Sequence, residues 1–455
     1  MAVDLRQVMA AFLTFSMFVM LGNMIKKDHI DPLLTVVHLL ISVIISSHGW
    51  KAEEAQGKEY DMEKILIVQE LEPLPAETPT VIYGGLKVSK PAMLKLSEMK
   101  YGPWLEQDEP VQPCWKKPTL EGKQKSNGYI FFSLSHDPEY HASQVANAVV
   151  VARKLGAILA LPDIIGDQSG EKRNFGEVYD VDKFFASLSG VVRVEKAPPA
   201  ELLNGRLPIV RVPDRVSDEI IFSKVKPIFL NKRNLKIVTY FNTSTKVEGQ
   251  VNHQSNAYQC LAMFESLKLQ PGLQELADFM VGTLRSLSTK MHGRFVAVDL
   301  RVDMLGRKSC QEADGGRKKC FKAEEIGKFL KRIGFHSNTT LYLTQTGWHD
   351  SLGALRNIFP NTFIKDAIMP ADEKAKFMDL KSHGYEKYID FYMCTQGDVF
   401  VPAFPSKFYD SVVGNRIGLG KTQIFLPADK SSESASDYVS PYLAKKGHFA
   451  YSCLC

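Results

Sequence analysis

The feature that most constrains the fold begins near residue 127, where apolar runs start to alternate with amphipathic ones. The run "GYIFFSL" is followed by "YHASQVANAVVVARKLG" and then by "AILALPDI". Continuous apolar runs of strand length suit a sheet buried on both faces, and two parallel strands need a crossover between them. The middle segment supplies one: Val145, Ala148, Val149, Ala152 and Leu155 fall on one helical face, and Gly156 stands where a helix ends. This predicts a βαβ unit. The alternation returns with "RFVAVDL", "KAEEIGKFLKRIGF", "TLYLTQ" and "HDSLGALRNIF", then the buried segment "YIDFYMC" and the strand "DVFVPA". The expected fold class is therefore α/β. Two Rossmann-like regions, about 125–275 and about 290–455, are joined through "LQPGLQELADFMVGTLRSL" and face a cleft at the carboxyl ends of their strands, where open α/β sheets bind ligands.

The 455 residues have room for more than this. Val8 to Ile25 carries no charge and is mostly apolar. At ~1.5 Å per residue it can cross a hydrocarbon layer of ~30 Å. It ends in Lys26-Lys27 without a small-x-small cleavage site, which favours an uncleaved signal anchor over a signal peptide. A shorter apolar run, Leu33 to Ser46 with His38 inside it, suits a buried or interfacial segment. The expected plan is a short tail and anchor over 1–30, and a proline-rich stem containing the second run over 31–122. An N-terminal α/β domain over 123–285 and a C-terminal α/β domain over 286–455 follow.

Composition removes some functions. The net charge of +5 is spread thinly and no basic patch is interleaved with aromatics, so no nucleic-acid partner is expected. Cys453 and Cys455 are the only tight pair among seven cysteines, which does not make a zinc site. Cys310 and Cys320 bracket a polar loop that a local disulfide could close, and the odd count leaves at least one thiol unpaired or in an intermolecular link. Two sequons, at Asn242 and Asn338, are candidate glycosylation sites.

The stretch "FVAVDLRVDML" carries the chemistry. Arg301 stands at the tip of an apolar strand with Asp299 and Asp303 on either side. An arginine fork matches a phosphate with two parallel hydrogen bonds. The alternative is an ion pair with Asp299 or Asp303 that pins a loop. "YLTQTGW" ends another strand in Thr344, Gln345 and Thr346, and "CTQGDVFVPA" is read as ending a third in Thr395, Gln396 and Asp398. Such groups could bind a ribose or a base. The chain has no GxGxxG opening a helix, no GxxxxGK[ST], no GxSxG and no HExxH. Asp299 and Asp303 lie four apart with Arg301 between them, which argues against a metal and for arginine and backbone donors as the diphosphate partners.

At these residues the chain resembles the plant O-fucosyltransferase-like glycosyltransferases. That family's His-Leu-Arg-aromatic-Glu motif, followed by Asp-Met-Leu and a cysteine, is matched by Asp299-Leu300-Arg301-Val302-Asp303-Met304-Leu305 and Cys310. Its "SDVFVP" is matched by Gly397 to Pro402, its "LRxLGF … IYL" by Leu330 to Phe335 and Leu341 to Leu343, and its first helix and strand by Asn147 to Pro162. The opening "VDLRQVMAAFLTFSMFVMLGNMIKKD" and the ending "HFAYSCLC" are similar to the mannan-synthesis-related subgroup. The family's Gly-Gly-Leu-Asn-Gln-x-Arg loop is replaced by His136 to Ala142, and its motif histidine by Asp299.

The resemblance implies a GT-B fold and an inverting, metal-independent transferase, with a nucleotide sugar as substrate and no further cofactor. Its catalytic residues would be Arg301 and Asp303. Asp299, Leu300, Arg301, Thr344, Gln396, Asp398 and Phe400 would line the nucleotide sugar, and Glu139 and His141 the acceptor side. It further implies a single-pass type II protein of the Golgi membrane with its body in the lumen and a polysaccharide or glycan acceptor. The alternative is a catalytically silent scaffold for a mannan synthase.

Overall fold

A computed structural model describes residues 103–104, 112–116, 127–166, 170–203, 206–241, 257–306, 310, 320–370, 384–428 and 430–454. The expected anchor, the second apolar run and Asn242 lie outside the described residues, among which no helix is long and apolar enough to cross a membrane.

In chain order the elements are β1 (Tyr129–Phe131), β2 (Ser133–Leu134), α1 (His141–Leu155), β3 (Ile158–Ala160), β4 (Asp163–Ile165), β5 (Lys172–Asn174) and α2 (Val181–Leu188). There follow β6 (Val194–Glu195), β7 (Ile209–Pro213), α3 (Lys226–Lys232), β8 (Asn234–Tyr240), α4 (Ala257–Glu265), α5 (Pro271–Leu287) and β9 (Phe295–Asp299). The remainder is α6 (Ala323–Arg332), β10 (Thr340–Leu343), α7 (Gly353–Ile358), β11 (Thr362–Phe363), α8 (Glu386–Gln396), β12 (Val399–Pro402) and α9 (Lys407–Gly418). Single turns are named by their residues.

Two parallel sheets carry the fold. The first has the order β6-β3-β1-β8-β7 and the second β11-β10-β9-β12. In each, the chain builds outward in one direction from its first strand, β1 or β9, and later fills the other side. The order therefore reverses beside β1 and beside β9, the places where α/β sheets bind ligands. The expected βαβ unit is present, with β1 parallel to β3 across α1. Helix α1 ends at Gly156 in the left-handed region, φ 62°, a conformation that glycine adopts at little cost. The single predicted strands "GYIFFSL" and "AILALPDI" each break in two. Their second parts, β2 and β4, pair with each other and with β5 in a small third sheet.

Three expectations are corrected. "YIDFYMC" lies within helix α8, whose packing between α5, α9 and β9 leaves most of its residues buried, so it shows no amphipathic period. Thr395, Gln396 and Asp398 consequently precede β12 instead of ending a strand. The stem reading fails for its described part: Trp104 and Trp115 are buried, Trp104 edge-on to Phe335 and Trp115 stacked on Phe264. Helix α5 packs on α8 and β10, so it goes with the second half and not, as expected, with the first.

Among the described residues, disulfides join Cys310 to Cys320, as expected, and Cys260 to Cys453, and Cys394 is a free, buried thiol. A second staple is ionic. Arg416 in α9 is wholly buried and donates to the carbonyls of Cys394, Thr395, Gly397, Asp398 and Gln423, the turn that links α8 to β12 and the strand entry beyond α9. A buried cation is tolerated only where hydrogen-bond acceptors surround it. Arg416→Met is expected to cost about 3 kcal/mol or more, measured as a lowered denaturant midpoint.

Candidate active site

All strands of the second sheet are parallel, so the ends of β9, β10 and β12 lie on one edge. Arg301 follows β9 there and caps the single turn Val302–Leu305, which is anchored by the Val302 amide donating to Gln345 Oε1 at 2.8 Å. Its guanidinium donates from Nε and Nη2 to the two oxygens of Asp299 at 3.1 and 3.3 Å. Of the two carboxylates weighed as partners, Asp299 is the one it takes. The rings of Phe404 and Phe408 lie 5.3 and 5.2 Å from it, which fixes the plane of the fork. Arg301 Nη1 makes no hydrogen bond to a described residue.

Asp299 is wholly buried and also accepts from Thr344 Oγ1 at 3.0 Å. The Thr344 carbonyl accepts from Lys365 Nζ at 3.2 Å. Lys365 is itself wholly buried and reaches both oxygens of Asp390 at 2.8 Å, and Tyr342 donates to the same carboxylate at 2.6 Å. Beside it, Glu386 accepts from Thr346 Oγ1 at 2.9 Å. A chain of polar groups thus runs from Asp390 through Lys365, Thr344 and Asp299 to Arg301. In a low-dielectric interior such a network holds only when every member is paired.

The first sheet supplies the opposite wall. The turn Pro138–Tyr140 precedes α1 and docks on α9, where Ser411 Oγ donates to the Glu139 carbonyl at 2.7 Å. Lys387 pairs with Asp137 at 2.6 Å and Lys407 with Asp214 at 3.3 Å, so cations of the second half meet carboxylates at the carboxyl edge of the first. The Glu139 carboxyl is pushed up to about 7, chiefly by burial and then by Asp137, against the pull of Arg301 and Lys387. The influence is mutual, since Glu139 in turn favours the charged form of Arg301.

The structure does not bring every predicted site residue to this edge. His141 is wholly buried, with its pKa lowered by burial to about 4. Its Nε2 lies 2.6 Å from the Ser135 carbonyl and must carry the proton, so Nδ1 accepts from Tyr179 at 2.8 Å. It is a satisfied core histidine, not an acceptor ligand. Asp398 and Gln396 sit at the amino end of β12, away from Arg301. Asp398 accepts from the Phe295 amide at 2.9 Å and pairs with Arg285, and Gln396 accepts from Lys421. Leu300 and Phe400 are core residues at 0% exposure. Asp303 is exposed in the turn after Arg301. Asn338 is half-buried in a turn closed by the Thr339 amide and the His336 carbonyl. Sequence reasoning missed Lys365, Asp390 and Glu386. Glu386 and Asp390, four apart on α8, are the spacing that could have marked them.

Two parallel α/β sheets with an arginine at the strand-order reversal of the second define a ligand-binding α/β protein. Comparison specifies the family. Residues 140–418 match the family described as GDP-fucose protein O-fucosyltransferase, and the chain belongs to that family, as its motifs implied. It is 41% identical over 460 residues to the Arabidopsis thaliana protein MANNAN SYNTHESIS-RELATED 2, covering all of both chains. It is likewise 41% identical to the Trigonella foenum-graecum protein MANNAN SYNTHESIS-RELATED, again over the full length of both. Among solved structures it is similar to the fucosyltransferase NodZ from Bradyrhizobium, at 14% identity and a TM-score of 0.36, covering 68% of this chain and 100% of that one.

The network yields a stability prediction. Lys365→Met strands the buried Asp390 carboxylate and is expected to cost ~3–5 kcal/mol, whereas Lys365→Met with Asp390→Leu should regain most of it. Paired denaturation curves check this.

Proposed function

We propose that this protein is a Golgi glycosyltransferase that transfers a sugar from a nucleotide sugar to a glycan acceptor in mannan-type polysaccharide synthesis. The observation that carries the reading is the arginine at the strand-order reversal of the second sheet, opposed by a carboxyl that titrates near 7. In this reading the two halves form a GT-B arrangement. The diphosphate occupies the carboxyl edge of β9, β10 and β12, and Arg301 offers it Nη1 and, as Asp299 yields, the rest of its fork.

The reaction breaks the bond between the anomeric carbon and the diphosphate oxygen, and the electron pair leaves with the phosphate. Arg301 stabilises that developing charge without a metal. The acceptor hydroxyl attacks from the opposite face, which inverts the centre, and its proton passes to Glu139. A carboxyl near 7 suits a general base at neutral pH. The relatives' names, which concern mannan synthesis, support the choice of pathway. The uncharged apolar run Val8 to Ile25, followed by Lys26-Lys27, supports a lumenal body on a single-pass type II protein.

One observation favours a second reading. Asp299 already holds two of Arg301's donors, a closed pair that would suit a silent scaffold for a mannan synthase. Titration of the full-length protein with GDP, GDP-mannose and GDP-fucose separates the two. The transferase reading expects binding that Arg301→Ala weakens at least tenfold; no binding in either form would leave the scaffold.

The base assignment has its own pH signature. Turnover should fall as pH drops below about 7, and Glu139→Gln should lose that limb together with most of kcat. Stability runs the other way. Because folding raises the Glu139 pKa from 4.5 to about 7, the folded state binds the proton more tightly and loses that advantage as pH rises through this window. Glu139→Gln should therefore raise Tm relative to wild type at pH 8 more than at pH 4.

A further inference from the structure

Beside Glu139 stands an aromatic pair that the fold does not use. The rings of Tyr140 and Phe241 lie 4.5 Å apart and are inclined by 51°. Both residues are half-buried, and neither is part of either hydrophobic core. Phe241 directly follows β8, and Tyr140 directly follows Glu139, so the pair sits on the carboxyl edge of the first sheet, the edge that meets α8 and α9. Polar groups surround it. Lys407 Nζ lies 5.7 Å from the Phe241 ring and is bonded to Asp214 at 3.3 Å and to Asp410 at 2.7 Å. Asp214 Oδ1 is buried and has no hydrogen-bond partner among the described residues. The next residue, Arg215, holds φ at 60°, a left-handed backbone that a residue with a side chain keeps only where its surroundings enforce it.

This combination has a chemical counterpart. A pyranose ring presents an apolar C–H face and a rim of hydroxyls. Aromatic faces cover the first, and carboxylates and ammonium groups bond the second, the usual division of labour in a ligand site. We propose that Tyr140 and Phe241 form the platform on which a pyranose-polymer acceptor lies, with Asp214 and Lys407 bonding its hydroxyls. A sugar stacked on Tyr140 is one residue away from Glu139 and can present a hydroxyl to it. Only that last step rests on the transferase reading; the platform itself does not.

The test uses the full-length protein with two probes, β-1,4-linked mannohexaose and GDP. Their dissociation constants are measured alongside saturation-transfer NMR on the sugar C–H protons. Tyr140→Ala and Phe241→Leu should each weaken mannohexaose at least tenfold and reduce transfer to those protons, leaving GDP affinity unchanged. Tyr140→Trp keeps a stacking face and should retain mannohexaose, which separates lost stacking from lost folding. Wild-type mannohexaose affinity in both truncation variants, or no mannohexaose binding by the wild type, overturns the platform. So does a loss of GDP in place of mannohexaose, since the rings would then hold the base. If mannohexaose binds through the rings and GDP does not bind at all, the platform stands and the transferase reading falls.

Discussion

The buried carboxylate of Asp299 is the constraint around which the second half is arranged. It ends a strand whose residues are all buried, at a depth where an unpaired charge is untenable. Its two oxygens take Arg301 and Thr344, and each of those is held in turn: Arg301 between Phe404 and Phe408, Thr344 through its carbonyl by Lys365. The direction of the guanidinium is thus set by residues from β9, β10, α8 and the segments after β11 and β12. The family histidine at this position could not draw the same two bonds from arginine, so the substitution to aspartate changes the charge of the site as well as its shape.

The first half contributes by facing its partner with opposite sign. Asp137 meets Lys387, Asp214 meets Lys407, and the Glu139 carbonyl takes a hydrogen bond from α9. An exposed pair such as Lys387–Asp137 contributes little to stability, a median of about 0–1 kcal/mol, while Lys407–Asp214 is partly buried. What they fix is the placement of Glu139 opposite Arg301. The energetic weight lies elsewhere, in a core that runs from Val145 and Leu235 through Met280 to Phe400 and Val412.

Much of the fold was legible because the strands β1, β3, β9 and β10 are buried on both faces and read as apolar runs. Strands β7 and β8 were overlooked although "IVRVP" and "KIVTYF" are β-branched. One of their faces is exposed, with Ile209, Val238 and Tyr240 on it, so they lack the continuous signal of their neighbours. The position of Arg301 was also legible, since a charge after an apolar strand has only the strand tip to occupy. Asp398 misled because its side chain serves the amino end of the sheet, where it bonds the Phe295 amide. His141 misled because a histidine before a helix gives no sign in sequence that both its nitrogens will find partners. Lys365 and Asp390 lie 25 residues apart, and their pairing exists only in three dimensions.

The tie between Cys260 and Cys453 bears on how the molecule is made. The residues around it, with the Cys114 amide bonded to the Cys453 carbonyl and Pro113 bridged to Leu454, bring a late stretch of the chain onto its early part. Every other element of both sheets leaves the ribosome before that stretch does. The first half can therefore collapse during translation yet cannot be locked until Cys453 has also been made. Until then Cys260 lacks its partner, while Cys394, which forms no disulfide, is already part of the chain. Burial in the finished α8 takes the Cys394 thiol out of reach of exchange.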